Sequence, residues 1–179
     1  MKLHNLIICV LLLPILLPIV ILLKLTSEGE ILYFQERIGL KNKPFMIYKF
    51  ATMVKDSHKM KGGHITVKND PRLTFMGGFL RKTKINELPQ LFNILTGSMT
   101  LIGPRPPVPS EVENYKDSHM RRLSMKPGIT GLWQVSGRNS VKDFDEWVKL
   151  DLEYIDNWSF MLDFKIAVKT VGTVLLPVY

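Results

Sequence analysis

The sequence has very little of what builds disulfide-bonded or zinc-binding proteins. Its 179 residues include one cysteine, Cys9, which lies in an apolar run, so a disulfide framework and a cysteine-based metal site are excluded. The histidines are isolated, and His58 and His64 flank a Lys/Gly loop that offers no third ligand for zinc. This composition is typical of a protein that does its chemistry in the cytosol.

Acidic residues are also scarce. The chain has 16 Asp and Glu against 24 Lys and Arg, a formal net charge of +8, which predicts an anionic partner. Nucleic acid is not expected, because no basic run is interleaved with stacking aromatic residues. A lipid surface or a phosphorylated substrate remains. The length suits one domain with a modest appendage.

An uncharged apolar run near the start, LIICVLLLPILLPIVILL (residues 6–23), is about long enough to span a bilayer. A signal peptide does not fit, because no small-residue cleavage site follows. Only Lys2 precedes the run and several basic residues follow it, which predicts a cytoplasmic C-terminal side. Pro14 and Pro18, one turn apart, favour a bend. By themselves, these residues allow a spanning and a re-entrant helix equally.

The rest of the chain predicts short strands and amphipathic helices. EILYFQ (30–35) and FMIYKF (45–50) are typical of strands separated by a turn. The Gly and Pro content of 97–111 predicts no regular structure. A helix with a Ser140/Asp143 capping box follows. A C-terminal helix is also predicted, with an apolar stripe of Phe164, Ala167, Val168, Val171 and Leu175. It is expected either to pack on the domain or to lie in a membrane interface.

The segment KTKINELPQLFN (82–93) has two interpretations. Asn86 is a preferred N-cap residue, Glu87 would face the positive end of the helix dipole, and Pro89 would fall where a missing N–H costs nothing. Spacing alone therefore favours a helix cap at Asn86. The alternative is that Asn86 and Glu87 belong to an active site.

Several motifs favour the alternative: QERIG, YKFATM, NDPRLT, KINELPQLFN, LIGPRP, KPGITGLWQVSGRN and LDLEYIDNWSFMLD. In this order, behind a Pro-broken apolar segment, they resemble the bacterial sugar transferase family, the monotopic phosphoglycosyl transferases. The resemblance runs from about Pro14 to Thr170. GLWQVSGRN and NWSFMLD are most similar to the catalytic domain of hexose-1-phosphate transferases that initiate capsule and O-antigen synthesis.

The resemblance implies a small α/β monotopic membrane fold. Residues 1–24 would form a re-entrant helix bent at Pro14 and Pro18. Residues 25–179 would form a catalytic domain on the cytoplasmic face of the bacterial inner membrane, with short strands and a C-terminal interfacial helix. The implied reaction moves a sugar-1-phosphate from a UDP-sugar to polyprenyl (undecaprenyl) phosphate and releases UMP. UDP-sugar, polyprenyl phosphate and membrane lipid are therefore the expected partners, and a homodimer stays open.

The resemblance also implies a site. The family uses an Asp-Glu dyad, whose Asp forms a covalent phosphosugar intermediate, and it works with Mg²⁺. Asn86 occupies the position of that Asp, and Glu87 is the expected Mg²⁺ ligand. Arg105, Arg138 and Arg81 are the expected phosphate-binding residues, since a guanidinium can grip two phosphate oxygens.

Asn86 leaves two outcomes open, because an amide oxygen is a poor nucleophile. The chain is an active transferase in which Glu87, another carboxylate or the lipid phosphate attacks. Alternatively, it is an impaired homologue or an engineered variant that binds UDP-sugar or polyprenyl phosphate as a membrane-bound scaffold.

Overall fold

The computed structural model describes residues 3–26, 30–57, 60, 70–137 and 143–175. The fold is a mixture of helices and short strands, as the α/β prediction has it. The helices are α1 (Leu3–Thr26), α2 (Gly77–Lys82), α3 (Leu91–Leu95), α4 (Pro109–Val112), α5 (Asp117–Met120), α6 (Leu132–Val135), α7 (Phe144–Asp156) and α8 (Phe160–Leu175). The strands are β1 (Leu32–Ile38), β2 (Pro44–Phe50), β3 (Thr100–Ile102) and β4 (Gly128–Thr130). The 3-10 helices are Leu40–Asn42, Ile85–Gln90 and Arg121–Ser124.

The chain divides into two compact units. The first unit is Met1–Tyr33 with Lys49–Leu88, and the second is Phe34–Tyr48 with Pro89–Tyr179. The chain crosses between them within the β1–β2 pair, whose two strands form one sheet. Lys41 and Asn42 turn the chain between these strands with left-handed φ angles of 56° and 60°. The two predicted strands are confirmed.

The core of the first unit is built on one face of α1. Leu23, Phe50 and Leu80 are its buried centre, and they join α1 to the end of β2 and to α2. Partly buried residues packed against this centre are Leu16, Ile19, Val20, Ile31, Met76, Ile85 and Leu88. Leu16, Ile19, Val20 and Leu23 follow helical spacing, so one stripe of α1 is covered by protein. Leu17, Ile21 and Leu25 on the other side are exposed.

α1 runs through both prolines, and both lie on exposed parts of the helix. Among the residues that the structure describes, no helix is both long enough and apolar enough to cross a membrane. The bend at Pro14 and Pro18 and the re-entrant course stay predictions, as do the boundaries at residues 24 and 25.

The second unit is organised around a parallel pair of three-residue strands. Thr100 of β3 pairs with Gly128 of β4, and Ile102 pairs with Thr130. Gly128 has to be glycine, because a Cβ atom there would lie 2.1 Å from the backbone nitrogen of Gly103. The buried side chains of this unit include Met99, Leu123, Trp133, Val148, Tyr154 and Ile166.

Two predictions for this unit need correction. Residues 97–111 are not devoid of regular structure, since they contain β3 and the first turns of α4. Their Gly and Pro residues flank these elements. The helix predicted after residue 140 is α7, but Asp143 itself is the N-cap, because its carboxylate accepts the N–H of Asp145 at 3.3 Å. Ser140 lies outside the described residues.

The C-terminal helix α8 exists as predicted. Ile166 is buried, and Thr170 hydrogen-bonds with Thr130 of β4 at 2.8 Å, so α8 packs on the domain through the row that contains these two residues. Three residues of the predicted apolar stripe, Phe164, Val168 and Val171, each keep 57–58% of their surface. Of the two predicted roles for the stripe, packing on the domain therefore does not apply to these three residues, and contact with a membrane interface stays a prediction.

Candidate active site

Asn86 is buried, and in the part of the chain that the structure describes its amide oxygen has no hydrogen-bond partner. The residue retains 8% of its surface, and Oδ1 has no hydrogen-bond partner among the described residues. A buried, unsatisfied carbonyl oxygen costs about 1–3 kcal/mol. Such groups are rare in folded proteins, and a functional site is one of the few places where they persist.

The helix cap predicted at Asn86 is wrong. The 3-10 helix begins one residue earlier, at Ile85, so Asn86 lies inside it. Lys84 adopts a left-handed backbone with φ 61°, and its carbonyl accepts the N–H of Glu87 at 2.9 Å. Pro89 has no N–H to offer. The backbone around Asn86 thus supplies its own hydrogen bonds, and the amide oxygen is left without a donor.

A buried ion pair lies in the same unit as Asn86. The Arg72 Nη2 and Nε atoms donate to Asp70 Oδ2 at 2.7 Å and to Oδ1 at 2.9 Å. Oδ1 also accepts the Arg72 backbone N–H at 3.0 Å, which closes a tight turn around Pro71. Both residues belong to the motif NDPRLT, and the sequence alone did not predict a role for them. An Asp two residues before an Arg, with Pro between, is a recognisable signal for such a turn.

Arg81 joins this pair electrostatically to Glu87. Its Nε atom donates to Thr52 Oγ1 at 2.8 Å. Burial lowers the pKa of Arg81 below its usual range, and the nearby carboxylates of Asp70 and Glu87 act against that shift. Asp70, Arg72 and Glu87 therefore each act electrostatically on Arg81. Arg81, Asn86 and Glu87 all lie in the first unit, and their roles in one site stay predictions.

Gly77 lets the start of α2 approach Thr52. A Cβ atom at residue 77 would lie 2.1 Å from the Thr52 carbonyl oxygen and 3.0 Å from Thr74 Oγ1. Thr74 N–H donates to the same carbonyl at 3.1 Å. Close backbone packing at this glycine thus fixes Thr52, and Thr52 holds the Arg81 side chain.

Arg105 belongs to the second unit, where a carboxylate and a ring orient it. Its Nη1 atom lies 3.3 Å from Glu111 Oε2, and its guanidinium carbon lies 5.9 Å from the centre of the Trp147 ring. Glu111 Oε2 also accepts the N–H of Val108 at 3.1 Å at the start of α4. The Arg105 side chain is half-buried, so part of its guanidinium can still reach a ligand.

A second buried ion pair, Arg122 with Asp151, contacts the backbone of Arg105. Arg122 Nη2 donates to Asp151 Oδ2 at 2.6 Å and to the Arg105 carbonyl at 3.4 Å, and Nη1 donates to the Tyr115 hydroxyl at 2.6 Å. Burial raises the pKa of Asp151, while Arg122 opposes that shift. Burial also raises the pKa of Tyr115 to about 12. The sequence did not predict this group, since the partners of Arg122 lie 7 to 29 residues away from it.

The residues suited to Mg²⁺ are Glu87 and Asn86. Within the described residues, no three His, Cys, Asp or Glu side chains lie close enough together to hold a metal ion by themselves. The unpartnered oxygen of Asn86 and the half-buried carboxylate of Glu87 are hard oxygen donors. Mg²⁺ usually takes one or two carboxylates and completes its shell with water and substrate phosphates. This donor set fits such an ion.

Four further residues were predicted for the site or for the membrane bend. Pro14 and Pro18 lie in α1, Arg105 lies in the other unit from Asn86, and Arg138 lies outside the described residues.

Comparison with known proteins defines the family. Residues 2–177 match the family described as Bacterial sugar transferase, and the chain belongs to that family. It is 47% identical to the galactosyl transferase CpsE of Streptococcus agalactiae over 83% of this chain and 35% of the relative. It is 44% identical to the undecaprenyl-phosphate galactose phosphotransferase of Salmonella typhimurium over 85% of this chain and 35% of the relative.

A third relative is the UDP-glucose:undecaprenyl-phosphate glucose-1-phosphate transferase of Escherichia coli. It is 39% identical over 88% of this chain and 35% of the relative. The chain thus spans about a third of the length of these three relatives.

Proposed function

We propose that this protein transfers a sugar-1-phosphate from a UDP-sugar to polyprenyl phosphate, releasing UMP, as a membrane step of capsule, O-antigen or other exopolysaccharide synthesis. Family membership and the names of two relatives, which specify undecaprenyl phosphate as the lipid, support the proposal. The observation that carries it is the buried oxygen of Asn86, which has no hydrogen-bond partner in the described part of the chain and is next in sequence to Glu87, a carboxylate that acts electrostatically on Arg81.

The reaction breaks the phosphoanhydride bond of the UDP-sugar. In the two-step form implied by the family, a carboxylate oxygen attacks the β-phosphorus, and the bond to the α-phosphate oxygen breaks, so UMP leaves. An oxygen of polyprenyl phosphate then attacks the same phosphorus, frees the carboxylate and gives a polyprenyl diphosphate sugar. With Asn86 in place, Glu87 or the lipid phosphate itself makes the first attack.

The arginines would neutralise charge that develops on the diphosphate. Fixed guanidinium groups stabilise such charge best when they are oriented before the reaction. Thr52 orients Arg81, and Glu111 with Trp147 orients Arg105. Mg²⁺ bound through Glu87 and Asn86 would supply further positive charge at the diphosphate.

The proposed place of action is the cytoplasmic face of a bacterial inner membrane. Two apolar surfaces support it: the exposed side of α1 with Leu17, Ile21 and Leu25, and the exposed stripe of α8. Monomeric soluble proteins rarely leave large apolar patches exposed. A re-entrant course for α1, with Pro14 and Pro18 at the bend, would keep both ends of that helix on the cytoplasmic side.

The alternative is a membrane-bound protein that binds UDP-sugar or polyprenyl phosphate without turning it over. The amide at residue 86 favours it, because an amide forms no stable phosphosugar adduct.

The decisive experiment is UMP release from a UDP-sugar by the purified chain with polyprenyl phosphate and Mg²⁺. Asn86→Asp should raise UMP release and should show a phosphosugar adduct by intact-protein mass spectrometry when the lipid is withheld. Glu87→Gln should abolish turnover in either background. Asn114→Asp is the matched control, because it adds the same charge at an exposed residue.

The outcomes separate the two functions. Turnover by the unchanged chain supports the transferase. UDP-sugar binding without turnover in the unchanged chain supports the binding protein, and turnover gained with Asn86→Asp would then identify residue 86 as the position of the lost nucleophile. An Asn86→Asp variant that folds and binds UDP-sugar but yields neither adduct nor UMP would refute the assignment of residue 86.

A further inference from the structure

A groove of about 590 Å³ lies in the second unit, beside the start of α8. One wall is β3 with the segment before β4, and the other is the end of α7 with the first turns of α8. Its volume is within the range of about 300–1,000 Å³ typical of ligand sites. The lining side chains are mostly apolar: Leu101, Ile102, Met125, Trp158, Phe160 and Ala167.

Hydrogen bonds hold the groove in shape. The Tyr154 hydroxyl donates to Asp163 Oδ1 at 2.7 Å and lies 3.3 Å from the Ile102 carbonyl oxygen. Trp158 Nε1 donates to Asp163 Oδ2 at 3.3 Å. These bonds tie β3, α7 and α8 together at the floor of the groove. Both oxygens of Asp163 are engaged, so the acid in this lining already has its partners.

The surface of α8 changes in a regular order around its axis. Residues four apart lie on one line, so the helix presents four successive rows. Ile166 and Thr170 form the packed row, and Asp163 and Ala167 line the groove. The third row is the exposed apolar pair Phe164, which also lines the edge of the groove, and Val168, which does not. The fourth row is the exposed pair Lys165 and Lys169.

Cations therefore flank the apolar surface on both sides. Lys126 lines the groove on one side and is exposed. Lys165 and Lys169 lie on the other side of the apolar row. Across the described part of the chain, these three lysines have no ion pair. An apolar groove bordered by available ammonium groups complements an amphiphile with a hydrocarbon chain and an anionic head.

We propose that this groove binds one acyl chain of an anionic phospholipid, with the lipid phosphate at Lys126. A second copy of the chain fits less well, because a two-fold contact would bring the same lysines face to face. A phospholipid also fits better than the polyprenyl acceptor, since no groove residue belongs to the proposed catalytic group. The site goes beyond the transfer reaction and does not depend on it.

The test uses the full chain in detergent, titrated with phosphatidylglycerol or phosphatidylcholine and observed by native mass spectrometry. One saturable phosphatidylglycerol adduct is expected. Ala167→Phe fills the groove and should weaken that adduct about tenfold, since the chain loses contact with roughly two methylenes. Val168→Phe is the matched control, because residue 168 lies in the neighbouring exposed row, and it should leave binding within about twofold.

Lys126→Gln tests the head group independently of groove shape. It should reduce binding of phosphatidylglycerol about fivefold and leave phosphatidylcholine unchanged. As a positional check, a phosphatidylglycerol brominated on its acyl chain should quench the fluorescence of Trp158. The fluorescence that is lost in the Trp158→Phe variant identifies the contribution of this residue.

Several results would overturn the proposal. Equal affinity for both lipids, no effect of Ala167→Phe, or many non-saturable adducts would each mean that the groove is not a phospholipid site. Displacement of phosphatidylglycerol by equimolar polyprenyl phosphate would assign the groove to the acceptor. Dimers formed in place of adducts would assign it to a second copy. If Ala167→Phe fails to fold, Lys126→Gln and Trp158 quenching decide.

Discussion

The substitution Asn86→Ala distinguishes a helix cap from a strained site by the sign of the change in the free energy of unfolding. Replacing a helix N-cap by alanine lowers the free energy of unfolding by about 0.5–2 kcal/mol. In this structure Asn86 Oδ1 caps nothing: it is buried without a hydrogen-bond partner among the described residues. Its removal therefore relieves an unmet desolvation penalty of about 1–3 kcal/mol.

The side chain also fills space, and that contribution opposes the gain. Asn86 is 8% exposed, so losing three heavy atoms leaves a small void and costs on the order of 1 kcal/mol. The expected net change is between zero and about 2 kcal/mol of added stability. For a chain of this size, 1 kcal/mol corresponds to about 2–4 °C in Tm.

Thermal and denaturant unfolding in one detergent measure this change. Asp143→Ala is the control, because Asp143 is an N-cap in the same chain and its loss should lower stability by about 0.5–2 kcal/mol. If Asn86→Ala lowers the free energy of unfolding by about 1 kcal/mol or more, as the control does, Asn86 is a helix cap. That result would refute the interpretation of residue 86 as a functional position.

Three further substitutions, at Asp151, Gly77 and Asp145, test contacts that stabilise the fold. Asp151→Asn should cost about 3–5 kcal/mol in denaturant unfolding, because it strands a buried arginine whose side chain is 2% exposed; a cost below 1 kcal/mol would contradict this. Gly77→Ala should cost about 1–3 kcal/mol or more, since its Cβ would lie 2.1 Å from a carbonyl oxygen. Gly78→Ala, with open space around it, should not destabilise. The hydrogen bond from Lys116 lowers the pKa of Asp145, so this carboxylate stabilises the fold above its ordinary pKa and loses that effect as pH falls through the lowered value. Asp145→Asn should flatten the acid side of the Tm-against-pH curve, and an unchanged curve would show that the bond is absent in solution.

The elements that could be predicted from the sequence are those with a clear strand composition or a regular spacing of apolar residues. The β1 and β2 segments are rich in aromatic and β-branched residues, and α7 and α8 repeat apolar residues at helical spacing, so each was visible in the sequence. β3 and β4 were not. They are three residues long, too short for a period, and they pair across 28 residues, from Thr100 to Gly128. Only the close approach that Gly128 permits reveals them.

Motif resemblance proposes Asn86, Glu87 and Arg81 as site residues, but it does not predict the contacts that hold them. Nothing local indicated that Thr52, 29 residues away, accepts a hydrogen bond from Arg81. The wrong cap prediction has a similar cause. Asn before Glu and Leu-Pro is a good cap signal, but the left-handed backbone at Lys84 starts the helix earlier and places Asn86 inside it.

The amide at residue 86 also affects the charge that is available to attract Mg²⁺. Asp70, Arg72 and Glu87 act electrostatically on Arg81, and the formal charges of these four residues cancel. Asn86→Asp would add one negative charge next to Glu87 in the chain, so attraction for a divalent cation should rise. Mg²⁺ affinity measured without nucleotide or lipid isolates this effect from nucleophilic attack. If Asn86→Asp tightens Mg²⁺ binding but yields no phosphosugar adduct, residue 86 acts through charge, and Glu87 or the lipid phosphate supplies the nucleophile. If it yields the adduct with Mg²⁺ affinity unchanged, the carboxylate acts as the nucleophile, and the metal is held without help from residue 86.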